Sequence, residues 1–402
     1  MLVKKKNICI IAFHNFENIL SHCKAISDDF DIRLILMMNG DRYLMGTIDI
    51  DISKLPLGLH INGNLINEYV PQEIKKFIED KFEIWFLKTK NLKFLKDFSF
   101  SNVRTLLKAI KEINSYEFDI YHFNNTGGFI FYFLKFLKPK KFVWTLHDYK
   151  PHLGEGNKKS DFINKFISKF DLFYIQHYKY LKNEFVRYHK VKDERVYQIY
   201  TGKLDVYTLF TDKSRCSINM PENKYILYFG RISKYKGLEY LIQGFIEYKS
   251  KFNDNLVKLV IAGNGKLWFD EKVISENRDI IFYNKYLNPY EHAHLIRNCE
   301  FVVVPYVEAT HSAVIMTSYA FNKAVIATRV GGIPEVVVDG KTGLLIPPED
   351  SLAICDALNK MIVMKTEINI EDNIKNICNN SEFSWDYIRK QEIELFTNII
   401  NY

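Results

Sequence analysis

Two cations in one loop are of the residue type that binds phosphate groups. Arg231 and Lys236 lie in the glycine-bounded loop 230–237, between an apolar run, 225–229, and the amphipathic segment 238–248. A departing phosphate-bearing group gains negative charge, and two fixed cations can stabilise that charge without a metal ion. The loop is therefore a candidate phosphate site, but an Arg and a Lys in a loop usually face solvent, and the assignment depends on the motif described below.

A second polar patch lies farther along the chain, where an apolar run ends at Pro305 and an apolar helical segment follows. It contains Glu308, Thr310 and Ser312, and the strand–loop–helix order predicts that it lies at the carboxyl end of a parallel strand. Hydroxyl groups and N–H groups at a helix N-terminus bind phosphate oxygens. The same hydroxyls could simply cap the helix, which is compatible with ligand binding.

Two polar strand ends in the first half could face the same ligand. The apolar run 142–146 is followed by His147 and Asp148, and the run 119–123 is followed by Asn124. Carboxyl ends of parallel strands meet at one edge of a sheet, so we expect these side chains near each other. In the alternative interpretation, His147 only hydrogen-bonds the turn that follows it.

These side chains require a scaffold of alternating strands and helices. Short apolar runs such as 7–13, 31–38 and 172–176 alternate with stretches of helical length, which is typical of doubly wound parallel sheets. A chain of 402 residues fits two domains better than one core. The predicted fold class is α/β, with an N-terminal domain over 1–200 and a second domain that begins at 201.

Positive charge is concentrated in the first half. Residues 1–200 carry 32 basic and 23 acidic side chains, and the remainder carries 23 and 25, within a net charge of +7. The asymmetry indicates an anionic partner such as a membrane surface, or only a solvated Lys-rich face. The segments 74–98 and 131–141 interleave lysine with apolar residues, and each could be a basic amphipathic helix on a membrane or an ordinary surface segment.

Other features favour a cytoplasmic protein without a structural metal. The six cysteines lack metal-ligand spacing, and the N-terminus lacks a signal-peptide pattern. The longest apolar run, 127–137, is too short to span a bilayer. Asp49 and Asp51 form a DxD pattern, but the strict alternation around them predicts an exposed ribbon instead of a metal site.

Four segments of the second half resemble motifs of the family-4 glycosyltransferases with the GT-B architecture. GRISKYKG at 230–237 is similar to the family's GRLxxxKG motif, whose Arg and Lys bind the donor diphosphate. GGIPE at 331–335 and DGKTGL at 339–344 also match closely. PYVEATHSAV at 305–314 resembles a PYxEATQSG variant of the family, with His311 as one departure.

The resemblance implies two Rossmann-like domains that face a cleft, with the C-terminal domain over 201–381 and a last helix, 382–402, packed back on the first domain. It implies His147, Asp148 and Glu308 as catalytic residues in contact with the sugar or the acceptor. The donor-binding residues that it implies are Gly230, Arg231, Lys236, Gly263, Thr310, His311, Ser312, Thr317 and Gly332.

Two family features are absent. Members usually carry two glutamates eight positions apart that approach the donor sugar and the ribose, and an ungapped alignment places Ala309 and Thr317 there. Glu308 lies one residue early, and Thr317 could still make one hydrogen bond to the ribose. The glycine-rich loop that follows the first strand in many relatives is replaced by the residues 14–18.

The sequence thus predicts a metal-independent, retaining hexosyltransferase that moves a sugar from a UDP- or GDP-sugar to a hydroxyl of a lipid-linked or cell-surface glycan, as in polysaccharide biosynthesis. The basic N-terminal domain would bind the acceptor and could meet the inner face of the cell membrane. No further cofactor and no nucleic acid is expected. The alternatives are a sugar-nucleotide epimerase or phosphorylase of the same fold, or an inactive nucleotide-sugar-binding partner subunit.

Overall fold

The computed structural model describes residues 5–13, 16–40, 42–45, 48–61, 63, 68–79, 81–90, 99–127, 129–138, 141–150, 158–254 and 256–402. Within them the strands form an eight-stranded sheet, a six-stranded sheet and a two-stranded hairpin. The larger sheet uses strands up to residue 198, and the six-stranded sheet uses strands from residue 225 onwards. The described chain therefore contains two α/β units.

The strands are, in chain order, β1 (Lys6–Ala12), β2 (Phe30–Asn39), β3 (Arg42–Met45), β4 (Ile48–Asp51), β5 (Gly58–His60), β6 (Glu83–Thr89), β7 (Ile120–Asn124), β8 (Phe142–Thr145), β9 (Phe173–Gln176), β10 (Val196–Gln198), β11 (Tyr225–Phe229), β12 (Lys258–Gly263), β13 (Ile280–Asn284), β14 (Val302–Val304), β15 (Val325–Thr328) and β16 (Gly343–Ile346). The larger sheet has the order β10-β9-β8-β7-β1-β2-β6-β5, and the smaller has the order β13-β12-β11-β14-β15-β16. Their pairs are parallel, except that β5 runs antiparallel to β6.

The helices are α1 (Phe16–Ile26), α2 (Gln72–Ile78), α3 (Phe100–Ile113), α4 (Ile130–Phe136), α5 (Lys158–Ile167), α6 (Lys179–His189), α7 (Leu238–Phe252), α8 (Lys272–Ser275), α9 (Pro289–Asn298), α10 (Ala313–Ala320), α11 (Ile333–Val336), α12 (Ser351–Glu367), α13 (Ile370–Asn380) and α14 (Trp385–Asn401). None of the helices in the described part of the chain is both long and apolar enough to cross a bilayer.

Central strands of both sheets are apolar along their length because helices or loops cover both faces. In β1, Ile8, Ile10 and Ile11 are fully buried, and all five residues of β11 are buried as well. Side chains alternate between the two faces of a strand, so burial of consecutive residues means that both faces are covered. The carboxyl ends of these strands remain as the edge at which polar side chains collect.

The last helix packs against the first unit. The Nε2 atom of His22 on α1 lies 2.6 Å from the Oε2 atom of Glu392 on α14. Asp29 accepts a hydrogen bond from Arg389 at 3.1 Å, and the ring of Phe30 contacts that of Phe396. Helix α14 therefore joins the end of the chain to its beginning.

The basic segment 74–98 is not a helix along its length, so it is neither a membrane helix nor a surface helix. Its first residues belong to α2, and Glu83–Thr89 is strand β6, between β2 and β5. Six of the seven β6 residues are buried. Four of them are apolar and complete the core, whereas Lys88 and Thr89 hydrogen-bond to the Ile52 carbonyl oxygen and the Asn39 side chain. Residues 91–98 lie outside the described ranges. The segment 131–141 contains most of helix α4, whereas 139–140 are not described.

Candidate active site

The loop after β11 lies against the loop after β12. Gly230 has a φ of 121°, and its N–H donates to the carbonyl oxygen of Ala262 at 3.0 Å. A Cβ atom at Gly263 would lie 1.8 Å from the carbonyl oxygen of Gly230. The close approach of these two backbones therefore requires glycine at 263, and the positive φ favours glycine at 230.

Lys236 is half-buried beside two aromatic rings. Its Nζ atom lies 3.7 Å from the centroid of the Tyr306 ring and 4.9 Å from that of Tyr235, within cation–π range. Burial alone would lower the pKa of Lys236, but the interactions with Tyr306 and Tyr235 outweigh it and raise that pKa. The ammonium group is therefore charged at neutral pH. Arg231, at the start of the same loop, is exposed.

The two polar patches of the second half are adjacent. The N–H of Val307 donates to the carbonyl oxygen of Tyr235 at 2.8 Å. Gly237 has a φ of 65°, and a Cβ atom there would lie 2.0 Å from the carbonyl oxygen of Pro305. The loop that holds Lys236 and the loop that leads to Thr310 are thus packed backbone to backbone.

Predicted residues from the two halves of the chain meet at Asp148. The buried hydroxyl of Thr310 donates to Oδ1 of Asp148, and the Nδ1 atom of His311 lies 4.0 Å from the same oxygen. The ring of His311 also lies 5.5 Å from that of His147, measured between centroids. The structure therefore brings together four of the residues that the sequence singled out.

His147 is buried and its imidazole is neutral. Burial, followed by the neighbouring His177 and His311, holds the pKa of His147 well below its usual range, although Asp148 opposes the shift. The Nε2 atom of His147 lies 3.3 Å from Oδ1 of Asn124. Burial lowers the pKa of His177 to about 4. His147 and His177 line a cavity of about 30 Å³, which is large enough to hold water.

Ser312 precedes helix α10 and carries a buried hydroxyl that has no partner within the described ranges. Its side chain makes no capping bond, is 4% exposed, and finds no hydrogen-bond partner among the described residues. A buried hydroxyl without a partner costs free energy that a bound phosphate oxygen could recover. Thr317, farther along α10, donates its hydroxyl proton to the carbonyl oxygen of Ala313 at 2.9 Å. A contact between Thr317 and a ribose would therefore have to use the Thr317 oxygen as an acceptor.

Glu308 is turned towards the first unit. Its Oε1 atom lies 3.8 Å from Nζ of Lys150, which follows β8. The sequence singled out Glu308 but not Lys150, because nothing in the spacing of one chain pairs residues from two different sheets.

The turn that contains Gly332 also touches the first unit. The N–H of Gly332 donates to the carbonyl oxygen of Thr310 at 3.1 Å, and a Cβ atom at Gly332 would lie 2.7 Å from Cγ of Tyr178. Glu335, which the sequence offered only as part of the GGIPE motif, contacts the start of helix α6. The GGIPE motif is the one signal in the sequence that marks Glu335, and it does not indicate a contact with α6.

The arrangement suits an anionic ligand. Lys236 supplies a fixed cation, and the N-terminus of α10 supplies N–H groups beside the hydroxyl of Ser312. Across from them lie the carboxylate of Asp148 and the neutral ring of His147, which can contact hydroxyl groups. No group of three or more His, Cys, Asp or Glu side chains in the described ranges has the arrangement of a metal site.

The second unit is similar to known proteins. The family model described as glycosyl transferases group 1 matches residues 223–363. D-inositol 3-phosphate glycosyltransferase of Arthrobacter sp. (strain FB24) is 29% identical over 165 residues, which cover 39% of each chain. Lipopolysaccharide 1,2-N-acetylglucosaminetransferase of Salmonella typhimurium is 28% identical over 200 residues, which cover 46% of this chain and 52% of that protein. The match thus spans about half or less of these relatives.

Solved structures match nearly the whole chain. Sucrose-phosphate synthase from Thermosynechococcus elongatus has a TM-score of 0.67 at 15% identity and covers 99% of this chain and 100% of its own. Anabaena HepE in complex with UDP-glucose has a TM-score of 0.65 at 16% identity, with 98% and 99% covered. The segment 223–363 is therefore similar to the glycosyl transferases group 1 family, and the chain as a whole has the GT-B fold.

Proposed function

We propose that this protein is a glycosyltransferase that moves a sugar from a nucleotide-diphosphate sugar to a hydroxyl group. The observation that carries the proposal is the packing of the Lys236 loop against the loop of Thr310 and Ser312. It brings a cation close to a helix N-terminus and to the Ser312 hydroxyl, which has no partner in the described part of the chain. Thr310 connects the second of these loops to the Asp148 carboxylate. The charge that grows on a departing diphosphate would be stabilised there by Lys236 and Arg231 without a metal ion.

The proposed donor is a UDP- or GDP-sugar, and the proposed stereochemical course is retention. Support for the nucleotide comes from HepE, which is described in complex with UDP-glucose. The diphosphate would bind Arg231, Lys236 and the start of α10, while the strand-end glycines 230, 263 and 332 let the backbone approach it. Retention rests on the resemblance of the motifs.

Three side chains are proposed to act at the transferred sugar. His147, with its neutral ring, would hydrogen-bond a sugar hydroxyl, and Asp148 would accept a hydroxyl proton from the sugar or the acceptor. Glu308 would approach the sugar from the second unit, in partial replacement of the glutamate that position 309 lacks. Thr310 and His311 hold Asp148 in place from the donor side.

The proposed acceptor is a lipid-linked or cell-surface glycan, bound by the basic first unit at the cytoplasmic face of a membrane. The relative from Salmonella, which is named for lipopolysaccharide, supports this acceptor class. The surface of helices α3, α4 and α5 supports the proposed contact with a membrane. We name this surface the aromatic–basic face, and its exposed residues are Phe100, Arg104, Leu107, Lys108, Lys111, Phe131, Lys135, Phe136, Lys138, Phe162, Lys165, Phe166 and Lys169.

The aromatic–basic face suits an anionic bilayer because apolar and cationic side chains alternate over it. Phe162 is 71% exposed, and Phe131 on α4 contacts Phe166 on α5 with 6.0 Å between ring centroids. Right-handed crossovers between β7, β8 and β9 place α4 and α5 on the same side of the sheet. The three helices contain two acidic residues, Glu112 and Asp161. Aromatic rings can enter the interface while lysines bind lipid phosphates.

Incubation of the purified protein with a panel of UDP- and GDP-sugars tests the proposed activity. We expect slow donor hydrolysis or transfer, at a rate that EDTA leaves unchanged. An epimerised donor would instead identify a sugar-nucleotide epimerase. A phosphorylase would leave the nucleotide sugars unchanged and would release a sugar 1-phosphate only from an added glycan and inorganic phosphate. Tight nucleotide binding without turnover would identify an inactive partner subunit. The absence of the two glutamates is the reason for considering this alternative.

A further inference from the structure

The carboxylate of Glu335 joins the two units of the molecule. It accepts hydrogen bonds from the N–H groups of Lys179 at 2.9 Å and Tyr180 at 2.8 Å, and from the hydroxyl of Tyr200 at 3.0 Å. All three donors belong to the first unit, whereas Glu335 lies on α11 in the second. Three hydrogen bonds to one side chain, all across the boundary between the units, therefore tie α11 to the first unit. We call this boundary the seam.

Helix α6 depends on this carboxylate for its cap. Tyr178 occupies the N-cap position but its side chain makes no capping bond, and the first turn of α6 contains no acidic residue. The first N–H groups of a helix have no partner within it, and a negative charge beside them is favourable. Glu335 supplies both the acceptor and the charge from the other unit.

The same turn of chain reaches the candidate active site. Gly332 packs on the ring of Tyr178 and donates to the carbonyl oxygen of Thr310. The ring of His311, next to Thr310, stacks on Tyr178 with 6.3 Å between centroids. Movement of Glu335 away from α6 would therefore also move Thr310 and His311 away from Asp148.

We propose that Glu335 is a positioning residue that holds the interdomain cleft closed by capping α6 across the seam. An open cleft leaves the start of α6 without its acceptor, so closure and capping occur together. Closure in turn fixes the distance between Thr310 on the donor side and Asp148 on the acceptor side. The effect of Glu335 on sugar transfer rests on the proposed function, whereas its effect on closure does not.

Distance measurements between labels in the two units test closure without any turnover. The labels are placed at Lys111→Cys on α3 and Lys272→Cys on α8, in a Cys216→Ser background, because both lysines are exposed and the other cysteines are buried. We expect a longer and broader distance distribution in Glu335→Ala and Glu335→Gln. Gly332→Ala, which drives a methyl group into Tyr178, should open the same seam and serves as a second variant.

Glu349→Gln is the matched control, because Glu349 also accepts a bond from a tyrosine, Tyr240 at 2.9 Å, but within the second unit. Its distance distribution should equal that of the unmodified protein. An unchanged distribution in folded Glu335→Ala and Gly332→Ala would overturn the proposal.

A second readout separates positioning from donor binding. In Glu335→Ala and Glu335→Gln, calorimetry with UDP or GDP should give a Kd within about threefold of that of the original protein, because Lys236 and α10 stay intact. The kcat of sugar transfer should fall by roughly tenfold or more in the same variants. A change in nucleotide affinity alone, with kcat preserved, would contradict the positioning role. If the unmodified protein turns over no donor, the proposed activity fails while the distance measurement still decides the role of Glu335.

Discussion

Lys236 shows how neighbouring side chains fix one cation of a candidate phosphate site. The rings of Tyr306 and Tyr235 flank its ammonium group, so little conformational entropy remains to be lost when a ligand binds. We expect Lys236→Ala to weaken UDP or GDP binding by roughly ten- to a hundredfold, because it removes a charge-assisted hydrogen bond. Calorimetry measures this change. Lys234→Ala, at an exposed site in the same loop, is the control, and equal losses in the two variants would count against the assignment.

Ser312 allows a test that separates binding from stability. Its buried hydroxyl lacks a partner in the described part of the chain, so Ser312→Ala should leave the free energy of unfolding unchanged or raise it slightly. The same change should weaken nucleotide binding by about fivefold to tenfold, since a hydrogen bond to phosphate is lost. Denaturant unfolding and calorimetry provide the two values. In the control Ser318→Ala, which removes a bond to the Val314 carbonyl, stability rather than binding should fall.

At the level of elements, the sequence predicted strands and helices correctly where a single local pattern determines them. The run 225–229 coincides with β11, and the amphipathic segment 238–248 falls within α7, because continuous apolar runs and helical periodicity are local signals. Strand β6 was missed because the lysines and aromatic residues of the segment 74–98 resemble a surface helix. Only the place of β6 beside β2 explains the burial of its residues. The contact of Thr310 with Asp148 and the cap from Glu335 depend on pairing between distant segments, which local patterns do not encode.

Helix α9 carries a buried histidine that should make stability depend on pH. The ring of His292 lies between Tyr207 and Phe229, and burial lowers its pKa to about 4. An unfolded histidine titrates near 6.5, so the stabilisation from keeping His292 neutral is complete above that pH and is lost as the pH falls towards 4. Between pH 7.5 and pH 5, His292 should thus remove about 2 kcal/mol from the free energy of unfolding.

Denaturant titrations at pH 7.5 and pH 5 check this value. In His292→Gln the difference between the two pH values should shrink by about 2 kcal/mol, because glutamine does not titrate. His294→Gln, on the same helix and less buried, serves as the control and should leave the difference nearly unchanged. A His292→Gln protein with the original pH dependence would show that His292 is not the group responsible.

For the whole molecule, part of the excess positive charge in the first half of the sequence lies on the aromatic–basic face of the first unit. We expect the protein to float with vesicles of phosphatidylglycerol and phosphatidylcholine at low salt and not with phosphatidylcholine alone. Each lysine near an anionic surface contributes about 1 kcal/mol. Lys135→Glu with Lys169→Glu should therefore weaken binding at least about tenfold. The matched control is Lys272→Glu with Lys360→Glu, which changes the net charge of the protein by the same amount but on the second unit.

The apolar part of the aromatic–basic face can be tested separately from its charge. Phe162→Ser removes the most exposed phenylalanine on α5 and should weaken vesicle binding by about tenfold, since burial of one ring contributes roughly 1.5 kcal/mol or more. Leu352→Ser, at a 66% exposed site on α12, should have no effect.

Binding that persists at about 0.5 M salt, where the Debye length is only about 4 Å, would contradict an electrostatic contribution. If Phe162→Ser instead converts a dimer to a monomer in sedimentation, the face covers a second copy of the chain and the membrane proposal fails.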